Sequence, residues 1–491
     1  MTTSVPYTDF HLQPIAGIWR DGSSTRAIDD ADPYNGEVLA KMRLATTQDV
    51  DQAYAGAADV QPAWAATAPQ ERAALMRRVG AVLDARKDEI VDWLIRESGS
   101  TVIKATVEWQ LARGLVDEVA SFPTRAHGML LPTANPGEES RVYRHPLGVV
   151  LVISPWNFPF YLSFRSVAPA IALGNAVVIK PASDTPITGG TLLAKIFEEA
   201  GLPAGVLSVV AGAGSEIGDY VVDHEVPKLV SFTGSTAVGK RVGATATGGR
   251  WLKRVALELG GNAPIVVLDD ADVDLAAEAA VFGRFLHSGQ ICMSTNRAIV
   301  VASVRDAFVD KVLELTRRLG VGDPHEPTTL VGPIINAAQR DSVAAIVAQA
   351  AADGATLALG GETQGSVVPP HVYVDVDPTI ALATDESFGP ILPIITAADE
   401  ADALRLANQT EYGLSSAVWT SDLTRGARFA QRIVAGMVHV NGITVDDQPM
   451  APFGGEKNSG LGRFNAEWAV EEYTRVQWVT IQDPPHPYGL S

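Results

Sequence analysis

Short apolar runs and amphipathic stretches alternate along this chain, and the rhythm changes twice. Between residues 47 and 97, Val50, Ala53, Ala57, Ala73, Leu75, Val79, Val82 and Leu83 recur at helical spacing among charged residues. That pattern predicts amphipathic helices, and the residues before Gly148 read as mostly helical. Residues 129–131 and 141–143 are short β-prone runs around Asn135-Pro136-Gly137, which predicts a hairpin with a turn at its tip. From Gly148 the order becomes strand, turn, helix. Runs rich in Val and Ile at 149–153, 176–179, 207–210 and 229–232 are each followed by turn residues and a helical stretch such as 188–200. Such alternation predicts parallel βαβ units in an open α/β sheet, with ligands bound where the strands end.

A second α/β series follows Glu258. It has strands expected at 263–268, 298–301, 373–376, 391–395, 414–419 and 438–440, and helices at 304–319 and 338–351. Residues 474–481 alternate weakly and read as a further strand, which either pairs with another subunit along with the hairpin or caps the parent fold. The fold class is therefore α/β, with two large lobes, a cleft between them and a β-hairpin. A length of 491 residues suits about three folding units.

Composition narrows the partners. Lys and Arg number 38 against 57 Asp and Glu, a net charge of −19 that repels phosphate backbones and anionic lipid. Nucleic acid and membrane are thus poor partners. The first residues lack the basic start and apolar core of a secretory signal, so a cytoplasmic location is expected. One cysteine excludes an internal disulfide framework and a multi-thiolate metal site.

That cysteine, Cys292, follows Gly289 in the polar stretch Ser288-Gly289-Gln290-Ile291-Cys292-Met293-Ser294. A lone cysteine can be a small buried hydrophobe. It can equally be a nucleophile where backbone amides or cations stabilise its thiolate. Glu258 lies between Leu257 and Leu259 just before paired glycines, where burial would raise its pKa to suit a general base. A partly exposed residue at a strand end is the alternative. Asn157 ends the first strand of the sheet and offers a neutral donor to an oxyanion, or simply forms the turn.

Together these motifs resemble the aldehyde dehydrogenase superfamily. The match runs in order from Pro14 to Val479, through SPWNFP at 154–159, KPAS at 180–183, FTGSTAVG at 232–239, LELGG at 257–261, GQIC at 289–292, ESFGP at 386–390 and PFGGEKNSGLGR at 452–463. The resemblance implies a Rossmann-type NAD(P)-binding lobe over residues 1–124 and 145–258 and an α/β catalytic lobe over 259–445. It also implies an oligomerisation arm over 125–144 and 474–491, in a homodimer or homotetramer. Cys292 would attack the aldehyde carbon, Asn157 and the Cys292 N–H would hold the oxyanion, and Glu258 would activate water to hydrolyse the thioester. Lys180 would meet the adenine ribose, Ser235 and Gly234 the pyrophosphate, and Gly212 and Gly218 would allow close approach on the adenine side. Glu386 would hold the nicotinamide ribose and Phe388 would pack on the nicotinamide, with Ser154, Trp156 and Leu259 completing the set. No metal is implied.

Two departures from the family pattern matter. NAD-preferring members usually carry Glu three residues after the lysine, whereas Ser183 stands here. Losing that carboxylate removes repulsion against a 2′-phosphate, so NADP use is expected, alone or with NAD, unless Asp184 takes the missing role. Many relatives place Glu after the Gly-Leu-Gly-Arg motif, where Phe464 stands here. The tail resembles the benzaldehyde and vanillin dehydrogenase branch. Phe158, Tyr161 and Phe453 would then wall an aromatic substrate, with Arg165 meeting a polar or anionic substituent or making a structural salt bridge. His287 reads as structural. The alternatives are a semialdehyde dehydrogenase of the succinic type, with Arg165 as its cation, and a catalytically silent scaffold.

Overall fold

Strand Val149–Ile153 pairs in parallel with Ala176–Lys180 on one side and with Pro227–Thr233 on the other. Chain order therefore reverses at this strand, which makes its carboxyl end a crevice by topology alone. Leu207–Val209 extends the sheet beyond Ala176–Lys180. Arg254–Glu258 extends it beyond Pro227–Thr233, and Gly460–Leu461 returns antiparallel to Glu258. The Val149–Ile153 core is apolar on both faces because helices cover both, as parallel sheets require. One of those helices, Pro159–Ala172, is buried along its whole length.

The second sheet has seven strands, ordered Thr356–Leu359, His371–Val374, Ile391–Ala397, Thr295–Val301, Ala263–Val267, Ser415–Trp419 and Met437–Val440. All pairs are parallel except the first. These are the two α/β series that the sequence pattern predicts. The strand expected at 373–376 begins two residues earlier and ends before Asp375, whose φ of 51° breaks the extended run. The computed structural model on which this description rests covers residues 5–488.

The N-terminal expectation needs correction. Helices Thr47–Ala66, Pro69–Ala85, Lys87–Ser98 and Val102–Val119 form as the periodicity predicts. The preceding residues instead make two antiparallel hairpins, Gln13–Ile15 with Ile18–Arg20 and Ala27–Ala31 with Val38–Arg43. The first turns through Ala16 and Gly17, both at positive φ, the geometry that suits a two-residue hairpin. Strands of three residues carry too few side chains to show a period of two.

Met129–Leu131 pairs with Glu138–Pro146 as the predicted hairpin, and Thr474–Gln482 pairs with the other edge of Glu138–Pro146 in the same chain. Register puts Met129, Trp478 and Val476 on one face of the ribbon, at 55%, 67% and 54% of full exposure, so an apolar face is left without cover from this chain. Residues 489–491 of the expected C-terminal segment lie outside the described residues. Among the described residues no helix is long and apolar enough to cross a membrane.

Candidate active site

Three strand ends of the first sheet supply one wall of a cleft. Trp156 and Asn157 follow Val149–Ile153, Gly234 and Ser235 follow Pro227–Thr233, and Leu259 follows Arg254–Glu258. Cys292, Glu386 and Phe388 from the second lobe complete the lining. A second cavity of about 180 Å³ is walled mainly by apolar side chains, including Phe158, Tyr161, Met293 and Phe453. Asn157 and Cys292 line both. The two cavities therefore meet at the thiol.

A strained turn presents that thiol. His287, Ser288 and Gly289 follow helix Val273–Phe285 at φ of 52°, 55° and 74°, all left-handed. Such a conformation costs a non-glycine residue roughly 1–2 kcal/mol, so neighbours must hold it. Ser288 Oγ donates to the Gly332 carbonyl at 2.8 Å, and Gln290 Nε2 donates to the carbonyls of His287 and Pro333. At Gly289 a Cβ would lie 2.2 Å from the Gly389 carbonyl oxygen, and at Gly261 one would lie 2.2 Å from that of Cys292. The segments after Glu258 and Glu386 thus pack backbone to backbone around the nucleophile turn. His287 is buried, and burial beside Lys104 pushes its pKa well below the usual range, so it stays neutral.

Asn157 is buried, and its Nδ2 donates to the Gln290 carbonyl at 2.9 Å, which leaves its second N–H hydrogen available. Among the described residues neither oxygen of buried Glu258 finds a hydrogen-bond partner. Burial pushes this carboxyl up to about 8, against the pull of Arg165 and Arg463. An unsatisfied buried carboxyl is rare enough to mark a working group. The thiol departs from expectation. Burial, with the charges of Glu386 and Glu258, pushes Cys292 up to about 12, and these outweigh Arg165 and the Met293 N–H. In the protein alone the sulfur is held as the thiol.

Around the first cavity, Ser235 is the N-cap of helix Thr236–Gly248. Glu386 accepts a hydrogen bond from the Gly261 N–H at 2.9 Å, and burial pushes it up to about 7. Phe388 sits at φ 44°, held by Gln339 Nε2 on its carbonyl, with its ring edge-on to Trp156 at 5.3 Å. Lys180 ends its strand buried, and burial lowers its ammonium to about 8. Ser183 is exposed, while Asp184 accepts from Asn336 Nδ2 at 2.9 Å. Gly218 faces open space. At Gly212 a Cβ would meet the Ile217 side chain and the Ala45 carbonyl. Ser154 is buried with its hydroxyl toward the Gly189 carbonyl at 3.5 Å, behind the cleft wall.

Phe158, Tyr161 and Phe453 reach the second cavity, but Arg165 does not. Its Nη1 lies 3.1 Å from Asp447 Oδ2, and its guanidinium lies 3.9 Å from the Phe453 ring centre and 4.9 Å from that of Phe464. Arg165 is a structural cation, and the substrate role expected for it is corrected. Asp447 also accepts from Tyr161 Oη at 2.8 Å and Asn465 Nδ2 at 2.8 Å. Asp446 and Asp447 stand on the cavity wall, and sequence reasoning missed both. Their adjacency to the PFGG motif was the available signal.

The chain matches the Aldehyde dehydrogenase family over residues 19–479 and belongs to it. A vanillin dehydrogenase of Corynebacterium glutamicum is 53% identical, over 98% of this chain and 100% of that one. A crystal structure described as an NAD-dependent benzaldehyde dehydrogenase from Corynebacterium glutamicum has a TM-score of 0.91 at 50% identity, covering 98% of each chain. A salicylaldehyde dehydrogenase from Pseudomonas putida G7, complexed with salicylaldehyde, has a TM-score of 0.94 at 35% identity, covering 97% of this chain and 99% of that one.

Proposed function

We infer that this protein oxidises aromatic aldehydes of the benzaldehyde and vanillin type to carboxylic acids, with NAD or NADP as oxidant. The observation that carries this reading is the meeting of two unlike cavities at Cys292 and Asn157, with Glu258, whose charge reaches the thiol, unpartnered among the described residues. Cys292 gives up its thiol proton to solvent as Sγ adds to the aldehyde carbon, and the new oxyanion takes hydrogen bonds from Asn157 Nδ2 and the Cys292 N–H. A bound oxidised dinucleotide would supply the hydride acceptor that lets the thiohemiacetal pass to a thioester. Glu258 then removes a proton from water, which attacks the thioester, and the proton returns to the departing thiolate.

The first cavity suits a dinucleotide on its own chemistry. The terminus of helix Thr236–Gly248 presents backbone donors for phosphate, Glu386 offers a carboxylate for ribose hydroxyls, and Trp156 and Phe388 offer rings for a planar base. With Ser183 exposed and Asp184 engaged by Asn336, no carboxylate opposes a 2′-phosphate beside Lys180. The enzyme should therefore accept NADP as well as NAD. Ser183→Glu should lower kcat/KM for NADP relative to NAD by roughly 10–100-fold through like-charge repulsion. An NAD preference that strong before substitution would refute NADP use.

For the substrate, a semialdehyde needs a free cation for its distal carboxylate. Arg165 and Asp447 neutralise one another, and Asp446 on the wall repels an anionic tail. Benzaldehyde should exceed succinic semialdehyde in kcat/KM by about 100-fold or more, because the buried site would leave the second carboxylate unpaired. Equal rates, or faster semialdehyde oxidation, would move the assignment to the semialdehyde class. We further place the enzyme in the cytoplasm as a homodimer or homotetramer joined through the exposed ribbon of Met129–Leu131 and Thr474–Gln482, with no nucleic-acid or membrane partner.

A further inference from the structure

We propose that Glu108, paired with Lys104, is a positioning residue that fixes Asn157 against Cys292. Both lie on helix Val102–Val119, and both are fully buried, although an i,i+4 Lys–Glu pair is ordinarily a surface feature. Burying an ion pair contributes little to stability in itself, so its placement asks for another reason. That reason lies at the start of helix Pro159–Ala172, two residues after Asn157.

A helix leaves its first N–H groups without partners inside the helix. Here Pro159 at the first position has none to satisfy, and the N-cap Phe158 makes no side-chain capping bond among the described residues. Glu108 takes over. Its Oε1 accepts from the Phe160 N–H at 2.9 Å and the Tyr161 N–H at 3.0 Å. Its Oε2 pairs with Lys104, whose Nζ also donates to Ser100 Oγ at 2.9 Å. The same ammonium lies 4.2 Å from the centre of the Phe158 ring, and that ring meets His287 edge-on at 6.0 Å. The pair therefore grips the segment at Phe158 and just after it. Asn157 is anchored ahead by its bond to Gln290 and behind by this helix start. If the anchor slips, the amide leaves the oxyanion position. Misplacement by about 1 Å can cost a rate of order 100-fold.

The proposal rests on Asn157 being the oxyanion donor, and its test separates the two claims. Glu108→Ala, Glu108→Gln and Asn157→Ala are prepared singly, with each Glu108 change also combined with Asn157→Ala. The kcat and KM for benzaldehyde with NAD are then measured. Asn157→Ala alone should lose about 10²–10³ in kcat. Glu108→Ala should lose roughly 30–100-fold in kcat with KM little changed. Glu108→Gln, which keeps an acceptor oxygen, should lose less. In the Asn157→Ala background both Glu108 changes should cost no more than about twofold, because the effect they transmit is already gone. Losses that multiply instead would make Glu108 merely structural and overturn the proposal, as would a Glu108→Ala enzyme with unchanged kcat. If Glu108→Ala fails to fold, the Glu108→Gln pair decides by the same criterion. A fully active Asn157→Ala enzyme would overturn the oxyanion assignment and this proposal with it, whereas a slow one with multiplying losses would overturn the proposal alone.

Discussion

Replacing Cys292 with alanine is expected to end aldehyde oxidation, with kcat lowered by roughly 10⁴–10⁶-fold for every aldehyde and either dinucleotide, as when a covalent nucleophile is removed elsewhere. Binding of the dinucleotide should survive, because its contacts come mostly from other residues of the cleft. The chain has one cysteine, so alkylation with iodoacetamide provides a parallel check: activity should fall in proportion to thiol modified, one per chain. Burial and two carboxylates push this thiol up to about 12. Alkylation of the protein alone should therefore be slow near neutral pH and accelerate as pH rises. Activity that persists in the alanine variant, or after full alkylation, would remove covalent catalysis from the account. A protein with no activity to lose would be the silent scaffold.

Glu258→Gln should divide the reaction in two. The first hydride transfer needs the thiol and the oxyanion donors, whereas hydrolysis needs the base. A burst of one reduced dinucleotide per chain should remain, followed by a steady state slowed by about 10²–10⁴-fold. Burial raises the Glu258 carboxyl to about 8, so it holds its proton below that pH and works as a base only above it. Turnover limited by hydrolysis should thus rise as pH passes through this region and level off beyond it. The glutamine variant should lose that rise. Unaltered steady-state turnover in the variant would assign the water-activating role to another group.

The sequence carries the site's chemistry more openly than its support. Val149–Ile153 and Ala263–Val267 announce themselves as short β-branched runs between turn residues, and Glu258 stands between two leucines where a carboxylate is out of place. What hides is whatever depends on contacts distant in the chain. Arg165 looks available for an anionic substrate until Asp447, 282 residues later, is folded against it. Helical spacing shows that Lys104 and Glu108 share a face, and not what covers that face. Gly289 hints at a left-handed turn, but nothing local requires His287 and Ser288 to adopt one. The hydrogen bonds that impose it come from Gly332 and Pro333. The short hairpin of Gln13–Ile15 and Ile18–Arg20 escapes periodicity for the same reason, since its partners and cover, more than its own pattern, determine it.

The most direct test is mass spectrometry of Glu258→Gln enzyme quenched after mixing with benzaldehyde and NAD. A single sulfur, met from opposite sides by oxidant and aldehyde, should carry one benzoyl group per chain, located on the peptide containing Cys292 and absent when either reagent is withheld. Reduced dinucleotide formed with no acyl group on that peptide would contradict the account.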